Sequence, residues 1–200
     1  MQRVGVLALQ GDFREHVEAL RAAGAEPRAV RRPAELEGLD ALVIPGGEST
    51  TMRRLLAAYE LTEPIRQRVA SDFPVYGTCA GCILLAGEVD GEPSSPLGLM
   101  DIGVTRNAYG RQVDSFETDL ALPALGEEPL RAVFIRAPRI ERTGPAVEIL
   151  ARLDDGTAVA ARQGNLLVTT FHPELTGDTR LHRYFLEQLV AGTGQRLAVS

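Results

Sequence analysis

The sequence predicts a three-layer α/β/α sandwich around a central, mostly parallel sheet. Three observations lead there. Short, almost uninterrupted apolar runs alternate with helix-period segments through the first half of the chain. The runs are apolar on both faces, as strands covered on both sides must be. Several of them stop abruptly at glycine-rich or polar turns, and open α/β sheets bind ligands at that edge, beyond the carboxyl ends of their strands.

Residues 4–9 read as the first buried strand. Residues 12–23 read as a helix with Asp12 as its N-cap, Glu15 three residues later and Gly24 closing the end. A short strand over 26–31 follows. Residues 41–44 form a buried strand that Pro45-Gly46-Gly47 stops, and Ser49 or Thr50 can cap the helix that runs to about Tyr59. A helix over 63–70, a strand over 74–76 and a helix over 79–86 complete the alternation. The second half is richer in strands, at 102–105, 132–135, 147–153, 157–162 and 166–170. A helix over 178–190 packs the chain shut. One domain over 1–190 is expected, with 191–200 as a short mobile tail. The stretch over 92–96 reads as a surface loop, and no internal repeat is visible.

Composition narrows the function. A chain of 200 residues buries roughly 70% of the surface its unfolded form exposes, so its core needs no disulfide or structural metal. The net charge is −6 and the pI about 5.2, which disfavours a polyanionic partner. All 21 basic residues are arginine, which excludes a Schiff-base or P-loop lysine. Cys79 and Cys82 make no disulfide framework, so a reducing, cytoplasmic setting is expected. No secretory signal pattern and no apolar run of membrane-spanning length is evident.

Gly77-Thr78-Cys79-Ala80-Gly81 joins a strand to a helix in the nucleophile-elbow pattern, with cysteine in place of serine. The helix N-terminus and a nearby imidazolium would both favour a thiolate there. A structural cysteine in a Gly-rich turn is the bland alternative. Phe171-His172-Pro173-Glu174 follows an apolar strand, which sets His172 at a carboxyl end with Glu174 close enough to hold one ring nitrogen. Nucleophile, base and orienting carboxylate are the roles that cysteine hydrolysis needs. The alternative is a solvated surface loop. Pro45-Gly46-Gly47-Glu48-Ser49 can turn backbone N–H groups toward a ligand as an oxyanion hole does, while also capping a helix.

The same cysteines form a C-x-x-C pair, which admits a thioredoxin-like redox reading. Cys82 lies one turn into an apolar helix and reads better as a small packing residue. Cys79, Cys82 and His172 as metal ligands lack a defining spacing, and no metal site is expected. His16 and His182 fall on helices among charged residues and read as solvated.

Together these segments resemble the triad (class I) glutamine amidotransferases, a flavodoxin-like fold, and within them the branch serving vitamin B6 synthesis. The likeness spans about residues 3–190. It rests on the Gly46, Cys79 and His172 segments, on Leu7-Ala8-Leu9-Gln10-Gly11-Asp12-Phe13 and on Phe134-Ile135-Arg136-Ala137-Pro138. It rests too on Arg106-Asn107-Ala108-Tyr109-Gly110-Arg111-Gln112 with Ser115-Phe116-Glu117. Cys82 stands where an ordinary apolar residue is expected, and Tyr109 where Phe is usual.

The resemblance implies a glutaminase that hydrolyses L-glutamine to glutamate and ammonia without a cofactor. It implies Cys79, His172 and Glu174 as the triad. Gly47, Glu48, Ser49, Arg106, Ile135 and Arg136 would meet glutamine, and backbone N–H groups of Gly47 and Ala80 would form the oxyanion hole. The implied partner is a (β/α)8 pyridoxal 5′-phosphate synthase subunit, in a large hetero-oligomer that builds the cofactor from a pentose phosphate and a triose phosphate. Two rivals remain at this level. One is a glutaminase for another synthase, such as imidazole glycerol phosphate synthase. The other is a docking subunit that no longer hydrolyses glutamine.

Overall fold

A computed structural model describes residues 1–93, 96–106 and 115–192. The first half forms as the pattern requires: β1 (Arg3–Leu7), α1 (Phe13–Ala22), β2 (Glu26–Val30), β3 (Ala41–Ile44), α2 (Ser49–Ala58), α3 (Thr62–Ala70), β4 (Val75–Thr78) and α4 (Ala80–Leu85). Then come β5 (Ala86–Val89), β6 (Met100–Thr105), β7 (Ser115–Leu120), β8 (Leu130–Ile135), β9 (Arg139–Thr143), β10 (Glu148–Arg152), β11 (Ala158–Gln163) and β12 (Leu166–Thr169). The closing helix begins as α5 (Arg180–Tyr184) and widens into a π-helical turn over Phe185–Val190. Among the described residues no helix is long and apolar enough to cross a membrane.

The main sheet runs β2-β1-β3-β4-β12-β11-β9-β6-β5, with β10 beside β11. Strands β2, β1, β3, β4 and β12 are mutually parallel, and the antiparallel extension begins at β11. Alternation along each strand divides the core into two layers. Leu42, Ile44, Val75 and Val168 face Met52, Leu56 and Ile65 of α2 and α3. Val4, Val6, Val43, Tyr76 and Leu167 face Leu20 of α1 and Leu181 and Phe185 at the chain's end. Sheet between two helical layers is the expected sandwich.

Three strands were not legible in the sequence. β5 begins at Ala86, where the expected helix over 79–86 ends, and its Ala-Gly-Glu-Val run has only its two outer residues buried. β9 carries Arg139, Glu141 and Arg142 and has only Ile140 buried. β7 alternates exposed and half-buried positions and pairs with β8 alone, in a separate two-stranded sheet. That hairpin is anchored by rings: Phe116 stacks on Phe134 at 4.5 Å, and Phe134 lies 5.5 Å from Phe171. Backbone pairing and three rings supply what a polar strand pattern hides.

His16 and His182 are not solvated. Both are completely buried, on the faces of α1 and α5 that meet beneath the sheet, with His16 Nδ1 3.0 Å from His182 Nε2. Their charged sequence neighbours point outward, and a helix face cannot be assigned from neighbours alone. Burial lowers both imidazole pKa values, that of His182 to about 4. A folded pKa below the unfolded one means the pair's contribution is complete above about pH 6.5 and is lost as pH falls toward 4. Urea unfolding at pH 7.5 and pH 5 should therefore show the wild type losing about 2 kcal/mol more than His182→Leu. Equal losses would mean that the native pair already carries a proton.

Candidate active site

Cys79 sits at the turn between β4 and α4 with φ 48° and ψ −105°, a conformation strained for any residue with a side chain. Its N–H donates to the Thr169 carbonyl of β12 at 2.8 Å, which pins the turn to the neighbouring strand. The flanking glycines are sterically required. A Cβ on Gly77 would run into the Gly81 carbonyl, and one on Gly81 into the Ile44 carbonyl. Cys79 is 6% exposed, and its sulfur faces the Ile135 carbonyl at 3.9 Å.

Cys82 points into the core and is wholly buried, and that burial, with Cys79 nearby, raises its thiol pKa far above the usual range. Exchange chemistry needs a thiolate, so the C-x-x-C redox reading fails and Cys82 packs as an apolar side chain.

His172 lies at the end of β12, with its backbone N–H donated to the Val133 carbonyl of β8 at 2.8 Å. The following 3₁₀ turn, Pro173–Leu175, swings Glu174 back under the ring. Its Oε1 is 2.8 Å from His172 Nδ1, and the Oδ2 of Asp12 is 3.4 Å from the same atom. The Cys79 side chain shares the same cleft with this imidazole. Burial works against the charge on His172, but interactions with Asp12, Cys79 and Glu174 outweigh it and push the pKa up to about 12. Burial also raises the Glu174 carboxyl, opposed by His172. The 2.8 Å contact, reinforced by a second carboxylate, favours the imidazolium–carboxylate pair.

Asp12 corrects one expectation. It makes no side-chain cap to α1, because its carboxylate is turned to His172. A second correction concerns α2. Its N-cap is Glu48, which accepts from the N–H groups of Thr50 and Thr51 at 2.8 and 2.7 Å, rather than Ser49 or Thr50. Hydrogen bonds from the Thr51 hydroxyl and the Thr50 N–H hold the Glu48 pKa down to about 2. Gly46 must be glycine here, since its Cβ would collide with Cε1 of His172. The Gln10 side chain accepts the Glu48 N–H at 2.8 Å, tying the loop after β1 to the loop after β3.

These groups line a cleft of about 730 Å³ that brings Gly47, Glu48, Ser49, Arg106, Ile135 and Arg136 together with Ala80, Cys79 and His172. Arg106 donates to Asp90 through its backbone N–H at 2.8 Å and through Nε at 2.7 Å, so both charges stand at the cleft wall. Asn107 to Gln112 lie outside the described residues. A larger groove of about 840 Å³ opens at the other end of the sheet, around Met1, Leu39 and Phe73, but holds no histidine or cysteine. Asp12, His172 and Glu174 offer ligand atoms within 4.8 Å of one another, yet Nδ1 of His172 is already engaged by Glu174. Asp12, Asp90 and His16 were missed as site residues. For His16 a signal existed, because four residues after Asp12 is the same helix face.

Residues 6–191 match the SNO glutamine amidotransferase family. The chain belongs to that family. A pyridoxal 5′-phosphate synthase subunit PdxT of Carboxydothermus hydrogenoformans is 54% identical over 190 residues, covering 95% of this chain and 99% of that one. The protein of the same name from Pelotomaculum thermopropionicum is 60% identical over 188 residues, covering 94% and 95%. A solved structure described as a glutamine amidotransferase superposes with a TM-score of 0.88 at 53% identity, over 94% of this chain and 98% of that one. The structure of PurLQS from Thermotoga maritima shares the fold at 17% identity and TM-score 0.74, over 94% of this chain and 99% of that one.

In this family member the two thiols should differ sharply in reactivity. Iodoacetamide at neutral pH should label Cys79 at least about tenfold faster than Cys82, read by peptide mass spectrometry. Equal labelling would contradict the environments described.

Proposed function

We propose that this chain is the glutaminase subunit of a pyridoxal 5′-phosphate synthase, with Cys79, His172 and Glu174 as its catalytic triad. The observation that carries this reading is a strained Cys79 that lines one cleft with an imidazole whose Nδ1 is held by a buried carboxylate. The names of relatives at 54% and 60% identity supply the pathway. The catalytic unit is a single domain over residues 1–190 followed by a short tail, acting in the cytoplasm, where two unpaired cysteines suit the redox conditions.

In this mechanism the imidazolium–thiolate pair is the resting state. The Cys79 thiolate attacks the carboxamide carbon of glutamine, and the oxygen that gains charge meets the N–H groups of Gly47 and Ala80. Each such donor contributes about 3–4 kcal/mol to the transition state. The carbon–nitrogen bond breaks as His172 gives its proton to the leaving nitrogen, so ammonia departs and a γ-glutamyl thioester remains. Neutral His172 then takes a proton from water, whose oxygen attacks the thioester. Glutamate leaves and the thiolate–imidazolium pair is restored. Glutamine carries both signs at its α-carbon, and the Asp90–Arg106 pair presents both signs at the cleft wall. Glu48, Ser49, Ile135 and Arg136 complete the substrate contacts.

The ammonia acceptor is a (β/α)8 synthase subunit in a large hetero-oligomer. Gly47 has φ 154°, open chiefly to glycine, so its peptide can turn with little penalty between a donor and a carbonyl facing the substrate. Gln10 holds the next peptide, which makes the loop after β1 the sensor of a docked partner.

Cys79→Ala should reduce glutamate release to background with the fold intact, while Cys82→Ala keeps most of it. Comparable losses in both variants would refute the assignment. Turnover by the isolated glutaminase should rise steeply when its synthase partner is added to saturation. A hundredfold rise corresponds to about 2.7 kcal/mol of preference for the active peptide orientation. Equal turnover in both conditions would remove the gating proposal and leave the triad standing.

A further inference from the structure

Behind the triad lies a polar chain that the hydrolysis does not use. His16 Nε2 is 3.0 Å from the Thr78 hydroxyl and 3.3 Å from Oε2 of Glu174. His16 Nδ1 meets His182 Nε2 at 3.0 Å. Both histidines are fully buried, and the Glu174 side chain is inaccessible. Residues of α1, α5, β4 and the turn after β12 thus meet at one point. Oε2 of Glu174 has no hydrogen bond of good geometry among the described residues; the polar atom that faces it is His16 Nε2.

We infer that His16, locked in one tautomer by His182, is a positioning residue for Glu174, holding its outer oxygen so that the inner one stays on His172 Nδ1. The inference rests on the glutaminase reading above.

The proton positions follow from the charge at one end. Glu174 faces an imidazolium and is a carboxylate, so the His16 nitrogen beside it must carry the proton; a lone pair there would repel it. Neutral imidazole has one N–H, so His16 Nδ1 is an acceptor and His182 Nε2–H is the donor to it. That leaves His182 Nδ1 as a bare acceptor, and it has no hydrogen-bond partner among the described residues. The reverse arrangement would bury an unpaired N–H at that atom and set a lone pair against the carboxylate.

Two leucines would fill this space without the penalty of burying polar atoms. What they could not do is set a polar nitrogen 3.3 Å from Oε2. The same His16 N–H also reaches Thr78, the residue before Cys79, so one group ties the orienting carboxylate to the strand that ends in the nucleophile. The effect on chemistry is indirect. His16 touches neither substrate nor Cys79, and its loss should lower kcat with little change in KM.

Three variants and one spectrum test this, assayed as glutamate release with the synthase subunit present. His16→Leu should lower kcat about tenfold, the effect of one lost polar contact with a charged group, with KM within about twofold. His16→Gln, which keeps an N–H near the Nε2 position, should recover most of that loss. In a Glu174→Gln background, adding His16→Leu should change kcat little, because no carboxylate remains to be positioned. An undiminished effect in that background, or a His16→Leu enzyme with wild-type kcat, would overturn the inference. The glutaminase reading is tested apart from it by Cys79→Ala. Should the His16 variants fail to fold, the wild type still decides. The chain has three histidines, so their ¹⁵N imidazole resonances can be assigned one by one. His16 and His182 should both be neutral with the proton on Nε2; a proton on His16 Nδ1 would refute the proposal.

Discussion

An imidazole–carboxylate contact of 2.8 Å, between His172 and Glu174, lies almost out of reach of water. An isolated charge there would shift its pKa and neutralise. The pair persists because its surroundings answer both charges. Asp12 adds a second carboxylate at His172 Nδ1, and His16 faces the outer oxygen of Glu174. The residues that meet this demand come from loops or helices after β1, β4 and β12, so the ion pair dictates which elements must lie side by side.

Parallel pairing satisfies that demand directly. In the order β1-β3-β4-β12, neighbouring strands lie about 4.8 Å apart and all end at one edge. Asp12, Gly46, Cys79 and His172 each lie just beyond one of those ends. Residues far apart in the chain thereby reach one cleft without any loop having to span it. The steric details are equally tight: the Cys79 turn tolerates only glycine at two neighbouring positions, and the His172 ring occupies the space a Cβ on Gly46 would need.

The β7–β8 hairpin supplies the remaining wall. It does not join the main sheet. Its rings pack on Phe171, and its Val133 carbonyl accepts the His172 N–H. Ile135 and Arg136 follow at its end, with the Ile135 carbonyl against the Cys79 sulfur. Anchoring by ring stacking and one backbone bond to the strand edge at His172 makes the hairpin part of the cleft rather than an appendage.

The sequence alone determined the layers and the strand ends. Apolar runs such as Ala41 to Ile44 admit few alternatives to a buried strand, and the glycine-flanked Cys79 and the His172-Pro173-Glu174 step follow such runs directly. Local signals of this kind survive because they depend on neighbours within a few residues. What the tertiary structure decided was partnership. Asp12 reads as a helix cap and is instead drawn to His172. Ser49 reads as a cap whose place Glu48 takes. His16 and His182 read as solvated and meet each other at the centre of the molecule. For Asp12 and the two histidines the competing partner is one that the local pattern does not reveal, for the histidine pair 166 positions away; Glu48 prevails locally, by accepting two N–H groups of α2 at once. The free energy of satisfying a buried charge or a buried nitrogen exceeds what a local cap or a solvated surface offers.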